Sequence, residues 1–174
     1  SEIRKKIKKI KKKEKIVDRI KQNEILKKLE FTLTHDQLKT LEEINNDLSS
    51  TNKMFRLLQG DVGSGKTIVS LLAAYNSVNS GFQVAFMAPT EILARQHFNF
   101  AKKLFSNQIN IDLISGKSEY KTKKEILKKL AHNEINIIFG THAIFQKKVL
   151  FKNLGLIIID EQHKFGVNQR KRLS

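Results

Sequence analysis

The chain has 174 residues, no cysteine, and 33 Lys and Arg against 17 Asp and Glu, a net charge of +16. That length predicts one domain, and the absence of thiols excludes both a disulfide framework and a thiolate zinc site. No apolar run approaches the ~20 residues of a membrane span, and the basic N-terminus lacks the apolar core of a signal peptide, so the composition predicts a soluble, cytoplasmic protein.

Residues 1–30 carry thirteen Lys or Arg against five Asp or Glu, half of the whole net charge. Such a surplus favours a polyanion partner, with nucleic acid ahead of membrane, although a Lys-, Ile- and Asn-rich genome would produce a similar bias. Ile3, Ile7, Ile10, Val17 and Ile20 fall at helical spacings among the lysines, which predicts an amphipathic basic helix. It reads as a connecting helix, a DNA-contacting arm or a helix lying on a membrane surface.

A second pattern starts at Thr34, a candidate N-cap with Gln37 three residues on and Leu38, Leu41, Ile44 and Leu48 at helical spacing. Gln37 has two readings. It completes a capping box, or it reads adenine, since an amide offers a donor and an acceptor together.

Met54–Leu58 then reads as a buried strand running into Gly60-Asp61-Val62-Gly63-Ser64-Gly65-Lys66-Thr67, which fits G-x-x-x-x-G-K-[ST]. In that pattern the glycines let successive backbone N–H groups surround phosphate, Lys reaches the outer phosphates, and the hydroxyl holds Mg²⁺. The apolar run Thr67–Tyr75 predicts the helix whose N-terminus faces the phosphates. This is the signature of a nucleoside-triphosphate site.

Downstream the alternation repeats. Gln83–Ala88 reads as a strand ending at Pro89-Thr90-Glu91, followed by a helix with Ile92, Leu93, Gln96, Phe100 and Leu104 on one side. Ile109–Ile114 is a strand ending at Ser115-Gly116, Tyr120–Ala131 a basic helix, and Ile135–Phe139 a strand ending at Gly140-Thr141-His142. Leu154–Ile159 is the last strand, running into Asp160-Glu161-Gln162-His163. Apolar strands separated by amphipathic helices describe an α/β fold, a parallel sheet with helices on both faces and ligands at the carboxyl ends of its strands. Asp160 and Glu161 lie at such an end, 94 residues after Lys66, where one carboxylate holds Mg²⁺ and its neighbour orients the attacking water. The five dispersed histidines suggest no zinc site, and no nucleophile elbow is present.

These stretches resemble the RecG family, bacterial branched-DNA helicases of superfamily 2. The resemblance covers about residues 31–174 and rests on Gly60–Thr67, Ala88-Pro89-Thr90-Glu91-Ile92-Leu93-Ala94, Gly140-Thr141-His142-Ala143 and Asp160-Glu161-Gln162-His163-Lys164-Phe165-Gly166-Val167, with Lys164 where the family usually has Arg. It implies a RecA-like P-loop NTPase fold, and an ATP- and Mg²⁺-dependent translocase that acts as a monomer on branched double-stranded DNA in repair and recombination. By the same resemblance Gly60, Asp61, Val62, Gly63, Ser64, Gly65, Lys66 and Thr67 cradle the nucleotide and Gln37 reads adenine. Thr67 and Asp160 bind Mg²⁺, and Glu161 is the catalytic base assisted by Lys66. Thr90, Ser115, Gly116, Thr141 and His142 lie near the DNA backbone, while Gln162 and His163 couple the two sites.

The family also carries a wedge domain, a further motif strand and a second motor domain with an arginine finger, none of which this sequence contains. The expectation is therefore a basic connector over 1–30 followed by the start of motor domain 1, with ATP hydrolysis negligible in the chain alone and a sheet incomplete in its middle, between the strands of Lys66 and Asp160. Two other readings stay open. One is a different superfamily 2 motor, of the transcription-repair coupling or RNA helicase kind; the other is a non-catalytic basic module whose binding depends on salt and not on ATP.

Overall fold

A computed structural model describes residues 2–9, 14–50, 56–59 and 65–161. Within these the elements run α1 Glu2–Lys9, α2 Arg19–Lys27, α3 His35–Ser49, β1 Arg56–Gln59, α4 Lys66–Asn79, β2 Gln83–Met87, α5 Glu91–Phe105, β3 Ile111–Ile114, α6 Tyr120–Ala131, β4 Ile137–Gly140, a 3₁₀ turn His142–Phe145, and β5 Leu154–Glu161. The strands form one sheet of order β1-β5-β2-β4-β3, and all its neighbouring pairs are parallel.

Alternation along the central strands sorts the core into two layers. Val84, Phe86, Ile137, Phe139, Leu156 and Ile158 pack with α3, α4 and α5, whereas Ala85, Met87, Ile138, Ile157 and Ile159 face Ile126 and Leu130 of α6 and the 3₁₀ turn. A strand buried on both faces can be apolar at every position, which is why the central strands read as continuous runs. Gly81, at φ +87°, makes the left-handed turn from α4 towards β2.

The further strand expected between the strands of Lys66 and Asp160 is not among the described residues. β1 pairs directly with β5, with Leu57 opposite Ile159 and Leu58 opposite Asp160. No other described strand lies between them, so β1 supplies the partners that the backbone groups along that edge of β5 require.

The basic N-terminal segment forms two helices rather than one. The backbone N–H of Lys15 bonds the Leu48 carbonyl at 3.0 Å and that of Ile16 bonds Ser80 Oγ at 2.7 Å, so this stretch spends its donors on the body of the fold. Asp18 then caps α2, accepting from the Lys21 N–H at 3.0 Å. Both helices are docked. Ile3 and Ile7 of α1 pack on the α6 layer and Ile25 of α2 joins the opposite core. Gln22 lies buried beside Asn45 of α3 and Asn76 of α4, its Oε1 accepting from their Nδ2 groups at 3.1 and 3.3 Å.

The inward side of α5 is rotated from the one read from the sequence: Leu104 is buried and Leu93 and Phe100 pack against the core as expected, but Ile92 and Gln96 do not. Ala94, His97, Ala101, Leu104 and Phe105 are buried, whereas Ile92 is 73% exposed and Gln96 lies on the surface. Small alanines let the helix approach the sheet closely, and a buried histidine stands in their stripe.

Candidate functional site

Because every strand is parallel, the polar residues that follow them share one edge. Met87, Gly140 and Ile114 are level across β2, β4 and β3, and Met87 is level with Ile159 on β5, one residue before Asp160. The edge has two halves: β1 and β5 carry the approach to the glycine-rich loop and the acidic pair, while β2, β4 and β3 carry Thr90, Thr141, His142, Ser115 and Gly116.

In the first half, Gly65 is the N-cap of α4 at φ +73°, a left-handed conformation that glycine adopts without strain. It has no side chain to cap the helix, and the first turn, which begins with Lys66 and Thr67, carries no acid. The N–H groups of that turn have no intrahelical partners, and their dipole end favours an anion. Lys66 and Thr67 are half-buried there, and everything from Ile68 to Ser77 is buried, so the helix end is firmly anchored. Gly60, Asp61, Val62, Gly63 and Ser64 lie outside the described residues, as do Gln162 and His163.

Gln37 performs its capping role. Its Oε1 accepts the Thr34 N–H at 2.8 Å while its own N–H bonds Thr34 Oγ1 at 3.2 Å. The same amide is stacked against Gly65 on the side where a side chain would project. Asp160 ends the apolar part of β5, opposite Leu58, and Glu161 follows as the last residue of the strand, opposite Gln59.

His97 was missed in the sequence. Its Nε2 lies 2.5 Å from Asp160 Oδ2, and its ring sits 5.0 Å from that of Phe86. The available signal was the spacing Ala94, His97, Ala101, Leu104: a polar residue inside the stripe that faces the core.

In the second half, Thr90 Oγ1 caps α5 by accepting from the Leu93 N–H at 3.3 Å. Glu91 reaches β3's end, where one carboxylate oxygen accepts the Gly116 N–H and the other the Ser115 hydroxyl at 3.3 Å. Lys123 donates to the Gly116 carbonyl at 3.1 Å. Thr141 opens the 3₁₀ turn by accepting from the Ile144 N–H at 3.2 Å, and His142 is exposed. Thus Thr90, Ser115 and Gly116 are joined through Glu91, with Thr141 and His142 nearby on the adjacent strand end.

A family model described as DEAD/DEAH box helicase matches residues 34–174. The chain belongs to this helicase family. It is 50% identical over 149 residues to the ATP-dependent DNA helicase RecG of Bacillus subtilis, an alignment covering 85% of this chain and 22% of that protein. With RecG of Aquifex aeolicus it shares 51% over 149 residues, covering 85% and 19%. A solved structure of RecG bound to a three-way DNA junction superposes with a TM-score of 0.81 at 45% identity, covering 94% of this chain and 22% of that one. The UvsW helicase of bacteriophage T4 gives a TM-score of 0.56 at 23% identity over 85% of this chain and 52% of its own, a likeness of fold. The chain therefore spans about a fifth of the length of the curated RecG relatives. The family match starts at Thr34, the cap of α3, and includes all five described strands. Among the described residues no helix is long and apolar enough to cross a membrane.

Proposed function

We propose that this chain forms the nucleotide-binding part of the first motor lobe of a RecG-type helicase, an ATP-driven enzyme that acts on branched DNA such as stalled forks and Holliday junctions during repair and recombination. The observation that carries the reading is the uncapped, acid-free N-terminus of α4 behind left-handed Gly65, with β1 leading into its loop alongside the strand that ends in Asp160 and Glu161. An anion belongs at such a helix end. The likeness to RecG at about half identity supports the choice of motor, and the net charge of +16 suits a polyanionic track.

The donor set also fits Mg²⁺. A hydroxyl, Thr67, and a carboxylate, Asp160, are hard oxygen ligands of the kind this cation takes together with phosphate oxygens and water. When bound, Mg²⁺ would neutralise charge on the outer phosphates. The residues have separable tasks: Gly60–Gly65 supply backbone donors, Lys66 pairs with the β/γ phosphates, Thr67 and Asp160 hold the cation, and Glu161 takes the proton of the attacking water. Gln37 would read the base. Thr90, Ser115, Gly116, Thr141 and His142 offer small polar groups and backbone donors suited to DNA phosphates, which position a duplex without reading sequence, and Gln162 and His163 would link the two halves.

The test is saturable binding of a fluorescent ADP analogue with Mg²⁺ to the 174-residue chain and to Lys66→Ala. The reading requires binding that weakens at least roughly tenfold in the variant, the loss of about 1.4 kcal/mol or more. Salt-sensitive DNA binding with no nucleotide binding would instead establish a basic binding module. Forked DNA, linear DNA and RNA compared as ligands would separate a branched-DNA motor from a coupling factor or an RNA helicase.

A further inference from the structure

His97 is buried to within 9% of full enclosure, yet it is neither in the glycine-rich loop nor among the acidic residues, and nothing in its own helix requires a histidine. What it meets is Asp160. A carboxylate oxygen only accepts, so the 2.5 Å contact is a hydrogen bond donated by His97 Nε2–H to Oδ2. Both side chains are largely shielded, at 11% and 16% exposure, so little water competes for the bond. The ring is fixed from behind by Phe86, 5.0 Å away on β2. The bond engages one of two carboxylate oxygens, each with two acceptor positions, and a cation ligand is commonly oriented in just this way by a neighbouring donor.

We propose that His97 is a positioning residue that holds the Asp160 carboxylate in the orientation required to bind the divalent cation of the nucleotide site. This rests on the reading of Asp160 as that cation's ligand. Asp160 stands at the end of a strand, where its side chain would otherwise choose among rotamers; His97 removes that choice and ties the carboxylate to α5. The same helix bears Glu91, six residues earlier and about 9 Å along the axis, which clasps Ser115 and Gly116. A shift of α5 at the second half of the edge is therefore a shift of the donor that orients Asp160.

The experiment measures the Mg²⁺ concentration at half-saturation for binding of a fluorescent ADP analogue to the full chain, together with nucleotide affinity in EDTA, in the wild type, His97→Ala, His97→Gln and Asp160→Asn. Removing an orienting partner of a metal ligand costs roughly 10- to 100-fold in metal affinity. Expected is a rise of that size in half-saturating Mg²⁺ for His97→Ala, unchanged affinity in EDTA, and recovery of most of the loss by His97→Gln, whose amide N–H restores a donor. A purely structural histidine would not split metal-dependent from metal-free binding.

Mg²⁺ dependence altered by Asp160→Asn but not by His97→Ala would overturn the positioning role while leaving the cation site intact. A dependence unaffected by Asp160→Asn, or no nucleotide binding by the wild-type chain, would overturn both. If His97→Ala does not fold, as judged by circular dichroism, the Gln variant decides with His97→Leu as the donor-free comparison: equal half-saturation in those two refutes the proposal.

Discussion

The Gln37 amide lies against Gly65, in the space that a Cβ on that glycine would occupy. One side chain thus closes a capping box on α3 and covers the turn that opens α4. Gly65→Ala meets two penalties, about 1–2 kcal/mol for an alanine held at φ +73° and the displacement of the Gln37 amide from Thr34. The expected result is a thermal midpoint lowered by several degrees and nucleotide binding weakened at least roughly tenfold. Gln37→Ala alone should cost about 1 kcal/mol through the lost capping box. In the double variant the clash is gone, so urea unfolding should give a total smaller than the sum of the two single losses; strict additivity would show that the contact carries no energy.

Glu91 places a negative charge on the Ser115–Gly116 turn, where the proposed function puts DNA phosphate. Glu91→Gln keeps a carbonyl to accept the Gly116 N–H and removes the charge. Anisotropy of a labelled duplex should show tighter binding, by roughly 1.5- to 5-fold, since an exposed charge interaction is worth about 0.2–1 kcal/mol. Glu91→Ala removes the clasp itself, and the Gly116 amide should then exchange with solvent faster than in the wild type or the Gln variant. Weaker DNA binding by Glu91→Gln would place the phosphate track elsewhere on the edge.

Much of this edge is legible in the amino-acid sequence, for a definite reason. Strands buried on both faces are continuous apolar runs, so β2, β4 and β5 stand out, and the basic helix predicted over Tyr120–Ala131 has its observed limits. A polar cluster after each strand then follows from parallel topology alone. Three things were not legible. Strand order is a long-range property, and nothing in the residues of β1 states that it pairs with β5. The inward face of α5 is built on Ala94, His97 and Ala101, whose weak hydropathy is outvoted by exposed Ile92. The division of the N-terminal segment into two helices depends on backbone bonds from residues 15 and 16 to Leu48 and Ser80, partners 33 and 64 positions away. For Gln37 the capping box read from the sequence is formed, and the same amide borders Gly65 at the start of α4.

The buried amides of Gln22, Asn45 and Asn76 pin α2 to α3 and α4. Asn76 Nδ2 donates to Asn45 Oδ1 at 3.1 Å as well as to Gln22, so removal of Gln22 leaves two buried amides without their shared acceptor. An unpaired buried polar group costs about 1–3 kcal/mol, which predicts for Gln22→Ala a midpoint lower by roughly 2–4 °C per kcal/mol. Ile20→Ala, on the same helix but 74% exposed, should change it little. Equal effects of the two substitutions would mean that α2 is not held by this cluster.

Lys15 gives a pH dependence of definite sign. Lys15 is largely buried, with Nζ 4.7 Å from the centre of the Phe82 ring, and burial lowers its pKa below the ordinary lysine value. The unfolded chain therefore holds this proton to higher pH than the folded one. Below both values the folded state bears the whole cost of burying an ammonium, and between them the unfolded state binds more protons, so stability rises with pH. Above the unfolded value the contribution levels off. Lys15→Met keeps the chain length beside Phe82 and removes the titration. Urea unfolding at pH 7 and at about pH 10.5 isolates the effect as a difference between variant and wild type, since other groups titrate in both. The Met variant should be the more stable at pH 7, and its advantage should shrink towards pH 10.5. An advantage that grows with pH would mean that the ring's attraction for the ammonium outweighs its desolvation.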